Sequence, residues 1–204
     1  MRRRLLLELA GRGVHAGGSL EPVLRRARRA GLPRRALEEL GLMLYLYAGF
    51  PAAIEFLRAL TLAWPVRVSR SLRRAPRSGS AASYKSWQTW RLRGASLCRA
   101  VYGEAYAPLR SFMASLHPDL DLWMIVEGYG KTLSRPGLGL IERELATVAA
   151  LASLGRPRQL EAHRAGALRV GAPAAQIVIA EHIGRGCRRA GAVGAGVAAG
   201  AARA

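Results

Sequence analysis

The amino-acid sequence predicts an all-α protein. Apolar residues recur at intervals of three and four, Ala and Leu are frequent, and no clear run alternates β-branched with polar residues as a half-buried strand would. The segment that opens at Pro157 and closes at Gly171 has the proline-in, glycine-out asymmetry of a helix. With 204 residues, half of them apolar, the chain can bury one sizeable core or two small helical halves.

Taken in order, Arg2 to Arg4 followed by LLLELA imitates the start of a signal peptide, but Glu8 interrupts a hydrophobic region already too short. A cytoplasmic protein is expected. Residues 31 to 53, GLPRRALEELGLMLYLYAGFPAA, read as a glycine turn, a helix carrying Glu39, and the element Tyr47-Ala48-Gly49-Phe50-Pro51. The uncharged run from Leu40 to Ile54 falls short of the ~20 residues that span a bilayer, so it reads as a buried helix and its turn with no membrane as partner. Residues 66 to 93 hold eight basic residues, no acidic ones, and Tyr84, Trp87 and Trp90. Basic residues interleaved with aromatics suit phosphates and bases, but no nucleic-acid module frames them. A linker is the better reading, and nucleic acid is not expected as a partner.

Residues 140 to 153 set Ile141, Leu145, Val148 and Ala152 on one stripe, with Glu144 on the same side. The next segment recurs inward at Leu160, His163, Ala167 and Val170. A Gly155-Arg156-Pro157 break joins the two into an antiparallel hairpin, which brings Glu144 and His163 to similar heights and predicts an acid/base pair. His15 reads as a loop residue. The stretch from Ala190 to Ala202 is Gly/Ala low complexity with little to bury, and predicts a frayed tail.

The net charge is +19 and the pI near 11.6. Thirty of the thirty-two basic residues are Arg, beside abundant Ala and Gly, a bias that GC-rich coding alone produces. A generally basic, solvated surface follows. Cys98 and Cys187 are too few and too separated for a disulfide framework or a zinc site. No GxGxxG, P-loop or metal-spaced cluster is present, so neither cofactor nor metal is expected.

Residues 94 to 172 resemble the carboxymuconolactone decarboxylase family, whose helical fold is shared with alkylhydroperoxidase D. The likeness rests on Arg135-Pro136-Gly137-Leu138, Arg143-Glu144-Leu145, His163 with Ala167-Leu168 behind it, and the Gly171 ending. Residues 31 to 53 resemble the closing element of the same domain, yet precede the rest, so a duplicated or rearranged domain is implied. The position matching His163 in that first half is Val23, which leaves it without an acid/base pair of its own. On this likeness the chain divides into a partial repeat (1–65), a basic linker (66–93), a decarboxylase-like core (94–183) and a low-complexity tail (184–204).

The resemblance implies an alkylhydroperoxidase D-like bundle and a lyase that removes carbon dioxide from a small carboxylated lactone or related acid, as in the breakdown of aromatic compounds. His163 would deliver a proton and Glu144 would orient the imidazole. Arg156 and Arg135 are candidates to pair with a substrate carboxylate, and Glu127 for a second site carboxylate; each also reads as an ordinary surface or capping residue. In the peroxidase branch, cysteines would stand where this chain has Arg156 and Gln159. Peroxiredoxin-type dithiol chemistry is therefore the weaker alternative, and a non-catalytic oligomeric member is the third. Family members form rings, which implies a homo-oligomer, a trimer or hexamer.

Overall fold

A computed structural model describes residues 1–15, 19–65 and 80–201, with side chains from residue 86 in the helix that opens at Ser80 and up to residue 190 in the final helix. Every regular element among the described residues is helical: α1 (Arg2–Gly13), α2 (Glu21–Arg29), α3 (Arg34–Ala63), α4 (Ser80–Tyr102), α5 (Tyr106–Leu116), α6 (Pro118–Trp123), a π-helical stretch (Met124–Leu133), α7 (Leu140–Leu154), α8 (Pro157–Arg169) and α9 (Ala174–Ala201). The all-α expectation holds. Two compact units result, one from 1–64 with 136–204 and one from 65–135.

In the first unit α7 lies at the centre, packed by α1, α3, α8 and α9. Eleven successive residues, Arg143 to Ser153, are buried, so this helix has no solvated face over that length. Its sequence permits this because Ala146, Ala149, Ala150 and Ala152 are small enough for neighbours to approach on several sides. A Cβ placed on Gly184 of α9 would stand 2.2 Å from the Ala149 carbonyl oxygen, so the backbones of α7 and α9 nearly touch there. Gly11 of α1 leaves room for the Cys187 side chain of α9, whose Sγ would stand 3.0 Å from a Cβ placed there. The tail expected from residue 184 is instead part of α9, which runs through Ala201. The side chains of residues 191–204 lie outside the described ones.

α3 bends at Gly49, whose φ of 77° only glycine adopts without strain. The bend lets Leu37, Leu40, Met43 and Leu44 before it, and Phe56 and Leu60 after it, all turn inward. By length and composition this one helix could cross a membrane, yet those residues make it a core helix of this unit.

The second unit pairs α4 with the π-helical stretch. Trp90, Gly94, Cys98 and Val101 recur on one side of α4, and the glycines allow contact at backbone distance: a Cβ on Gly94 would stand 1.9 Å from the Ile125 carbonyl oxygen, and one on Gly130 2.0 Å from that of Trp90. This corrects the expected linker from Ser80 onward, where the charge composition masks a helical stripe; residues 66–79 and the side chain of Tyr84 lie outside the described residues. Trp87 and Trp90 are half-buried under cations, with Arg91 5.9 Å and Lys131 5.4 Å from the ring centres. Arg110 grips Asp121 with two nitrogens, one at 2.7 Å, and ties α5 to α6. The unit boundary at 135/136 also departs from the single core expected over 94–183, since the segment before Pro136 packs with α4 and the segment after it packs around α7.

The buried polar residues of α7 are each answered from another helix. Arg143 Nη2 reaches Glu39 Oε2 at 3.3 Å, both groups almost fully buried. Ser153 Oγ donates to the Gly11 carbonyl at 2.7 Å and lies 2.8 Å from His15 Nε2. A hydroxyl has one proton, so the imidazole is the donor in the second bond. Removing Arg143 leaves the buried Glu39 carboxylate with the more distant Arg35 at 3.8 Å, so Arg143→Leu is expected to cost about 3 kcal/mol in urea unfolding, and Glu39→Leu combined with it less than the sum of the singles. Additive costs would show that the two groups do not interact. Burial, and then the Arg188 guanidinium, lower the His15 pKa below its usual 6.5. The folded state therefore favours neutral His15, and the stability it contributes is present above that pH and lost as pH falls below it. The slope of unfolding free energy between neutral pH and pH ~5 should be shallower in His15→Gln; an unchanged slope would contradict the assignment.

Candidate active site

The α7–α8 hairpin turns at Gly155, which adopts the left-handed conformation with φ 67° and ψ 46°, and α8 restarts at Pro157. This short reversal fixes the register of the two helices. His163 Nδ1 lies 2.9 Å from Glu144 Oε2, and the pair is buried, with 2% of the glutamate side chain and 11% of the histidine side chain reaching solvent. A carboxylate can only accept, so the imidazole donates Nδ1–H to it. Two groups predicted from spacing thus meet at hydrogen-bond distance.

Beside them, Thr147 Oγ1 donates to the Arg143 carbonyl at 2.9 Å and lies 2.7 Å from Tyr47 Oη. Arg143, Thr147 and Glu144 occupy roughly 100° of arc on α7 at 100° per residue. Glu39 and Tyr47, both on α3, therefore approach the edge of α7 next to the one that carries Glu144. The 31–53 element completes the surroundings of α7 within the same chain.

Within the first unit, the predicted Arg156 is not drawn to the pair. Arg156 is the exposed residue before α8, roughly 10 Å along the helix axis from His163 at ~1.5 Å per residue. Arg135 is exposed and Glu127 forms an i,i+4 ion pair with Lys131 at 2.9 Å; both belong to the second unit. Phe50 is 70% exposed and stacks on Tyr45 at 5.4 Å. The expected free thiols are both buried cysteines, and burial raises the pKa of Cys187, which disfavours its thiolate. Among the described residues no group of three His, Cys, Asp or Glu side chains is placed to hold a metal.

Sequence reasoning missed the partners of α7 that come from far along the chain: Glu39 for Arg143, Tyr47 for Thr147, and His15 for Ser153. A signal was present for the first two. Arg143 and Thr147 stand at i and i+4, on the face of a helix that is apolar from Leu145 onward apart from Thr147 and Ser153, and such polar groups need partners.

No curated protein and no solved structure matches the chain. A family model does match, that of the carboxymuconolactone decarboxylase family, over residues 121–202. The matched stretch holds the π-helical segment, both hairpin helices with Glu144 and His163, and the whole of α9. Residues 121–202 of the chain are thus similar to the carboxymuconolactone decarboxylase family.

Proposed function

We propose that the protein is a decarboxylase-like lyase that removes carbon dioxide from a small carboxylated lactone or related acid. The observation that carries this reading is the buried Glu144–His163 hydrogen bond, whose imidazole keeps a small solvent-reaching surface. When the carbon–carbon bond to the carboxylate breaks, its electron pair passes toward the ring carbonyl as an enolate and carbon dioxide departs. His163 then delivers a proton from Nε2 to carbon and recovers one from solvent. Glu144 holds Nδ1–H, fixes the ring and balances the imidazolium charge as it forms. The low polarity around α7 favours departure of the carboxylate as neutral carbon dioxide. Arg156 is the predicted guanidinium available in the same unit to meet the substrate's anionic end; the mechanism uses neither Arg135 nor Glu127.

Peroxiredoxin-type activity finds less support. The positions where its thiols would stand are Arg156 and Gln159, and Cys187 lies against the Glu8 carbonyl. A homo-oligomer, trimer or hexamer, working in the cytoplasm fits the apolar side chains Phe50, Ile54, Leu168 and Val178 left exposed on the first unit. Sedimentation that finds a monomer at micromolar concentration would contradict the oligomer.

Ultraviolet-monitored turnover of 4-carboxymuconolactone tests the lyase directly. Wild type should turn over, His163→Ala should lose on the order of 10²-fold or more in kcat, and Glu144→Gln should fall less while keeping its helical circular dichroism. Absence of turnover in the wild type rejects this substrate class, and equal rates in wild type and His163→Ala reject the relay.

A further inference from the structure

α2 places its apolar residues Val23, Leu24 and Ala27 inward and its four arginines outward. On the outer face a hollow of about 550 Å³ is lined by Ser19, Glu21, Pro22, Arg25, Arg26 and Arg29. The spacing 22, 25, 26 and 29 puts three guanidinium groups along one side of the helix within reach of a single small molecule.

Two of the three are already held. Arg25 Nη2 lies 3.2 Å from Glu21 Oε2, and Arg26 Nη2 lies 2.5 Å from Glu8 Oε2, an acid that Arg12 shares at 2.9 Å. Among the described residues, Arg29 has no acidic partner. Four arginines therefore face two carboxylates, and the excess positive charge sits at the hollow. A guanidinium fork matches the oxygens of phosphate in pairs, and side chains already fixed by a neighbouring carboxylate lose less freedom when a ligand arrives. The volume is in the range of small-molecule sites, ~300–1,000 Å³.

We infer that this hollow is a binding site, separate from the Glu144–His163 pair, for a small anion carrying two phosphate-type groups. Arg26 and Arg29 hold one group, and Arg25, exchanging Glu21 for the ligand, holds the other. Glu21 then acts as an internal competitor, which gives the site a signature that a diffuse basic surface lacks.

Titration calorimetry of the full chain with inorganic pyrophosphate at low ionic strength tests this. Saturable binding at one site per chain is expected, with affinity falling as salt rises. Arg29→Gln should weaken it about tenfold, the loss of one charge-assisted contact. Glu21→Gln should tighten it several-fold, and Arg91→Gln, on the second unit, should leave it unchanged. No saturable binding, equal affinity in wild type and Arg29→Gln, weaker binding in Glu21→Gln, or binding of a short nucleic acid but not of pyrophosphate would each overturn the inference.

Discussion

The constraint on which the first unit depends is that α7 has no wet face over most of its length. An unpaired polar group in such a place costs several times what an ordinary hydrogen bond contributes, so every polar side chain on the helix must find a partner in protein. Arg143, Glu144, Thr147 and Ser153 find theirs on α3, α8, α3 and the end of α1. Apolar packing alone leaves a helix free to rotate or slide by a residue at small cost. Four polar pairings made to three different segments allow only one register.

That register gives the acid/base pair its geometry. Glu144 and His163 are separated by nineteen positions, yet a turn with one left-handed glycine and one proline sets them at 2.9 Å. The same burial that makes the pair obligatory strips it of competing water, which strengthens the bond, and leaves the imidazole as the member of the pair that reaches solvent. Stability and the proposed chemistry thus draw on one arrangement, with Glu39–Arg143 and Tyr47–Thr147 fixing the helix on which Glu144 rides.

The sequence revealed this site unevenly, for physical reasons. The hairpin was legible because its partners are close in the chain and the 3.6-residue period, Gly155, Pro157 and Gly171 fix both helices locally. The pairings of Glu39 and Tyr47 with α7 were not, since about a hundred residues intervene and a period says nothing about which distant helix covers a face. Composition misled twice. Arginine-rich sequence before residue 94 hid the stripe Trp90-Gly94-Cys98-Val101 of α4, and Gly/Ala-rich sequence after 184 concealed that α9 continues as a helix through Ala201. Arg135 and Glu127 were chosen for their nearness in sequence to the family-like motif, and both lie in the second unit.

The most direct measurement of the central claim is the tautomer of His163, read by long-range ¹H–¹⁵N correlation on selectively labelled protein. The account predicts a protonated Nδ1 at neutral pH that loses this preference in Glu144→Gln. A ring protonated only on Nε2, or one indifferent to the loss of the carboxylate, would contradict it.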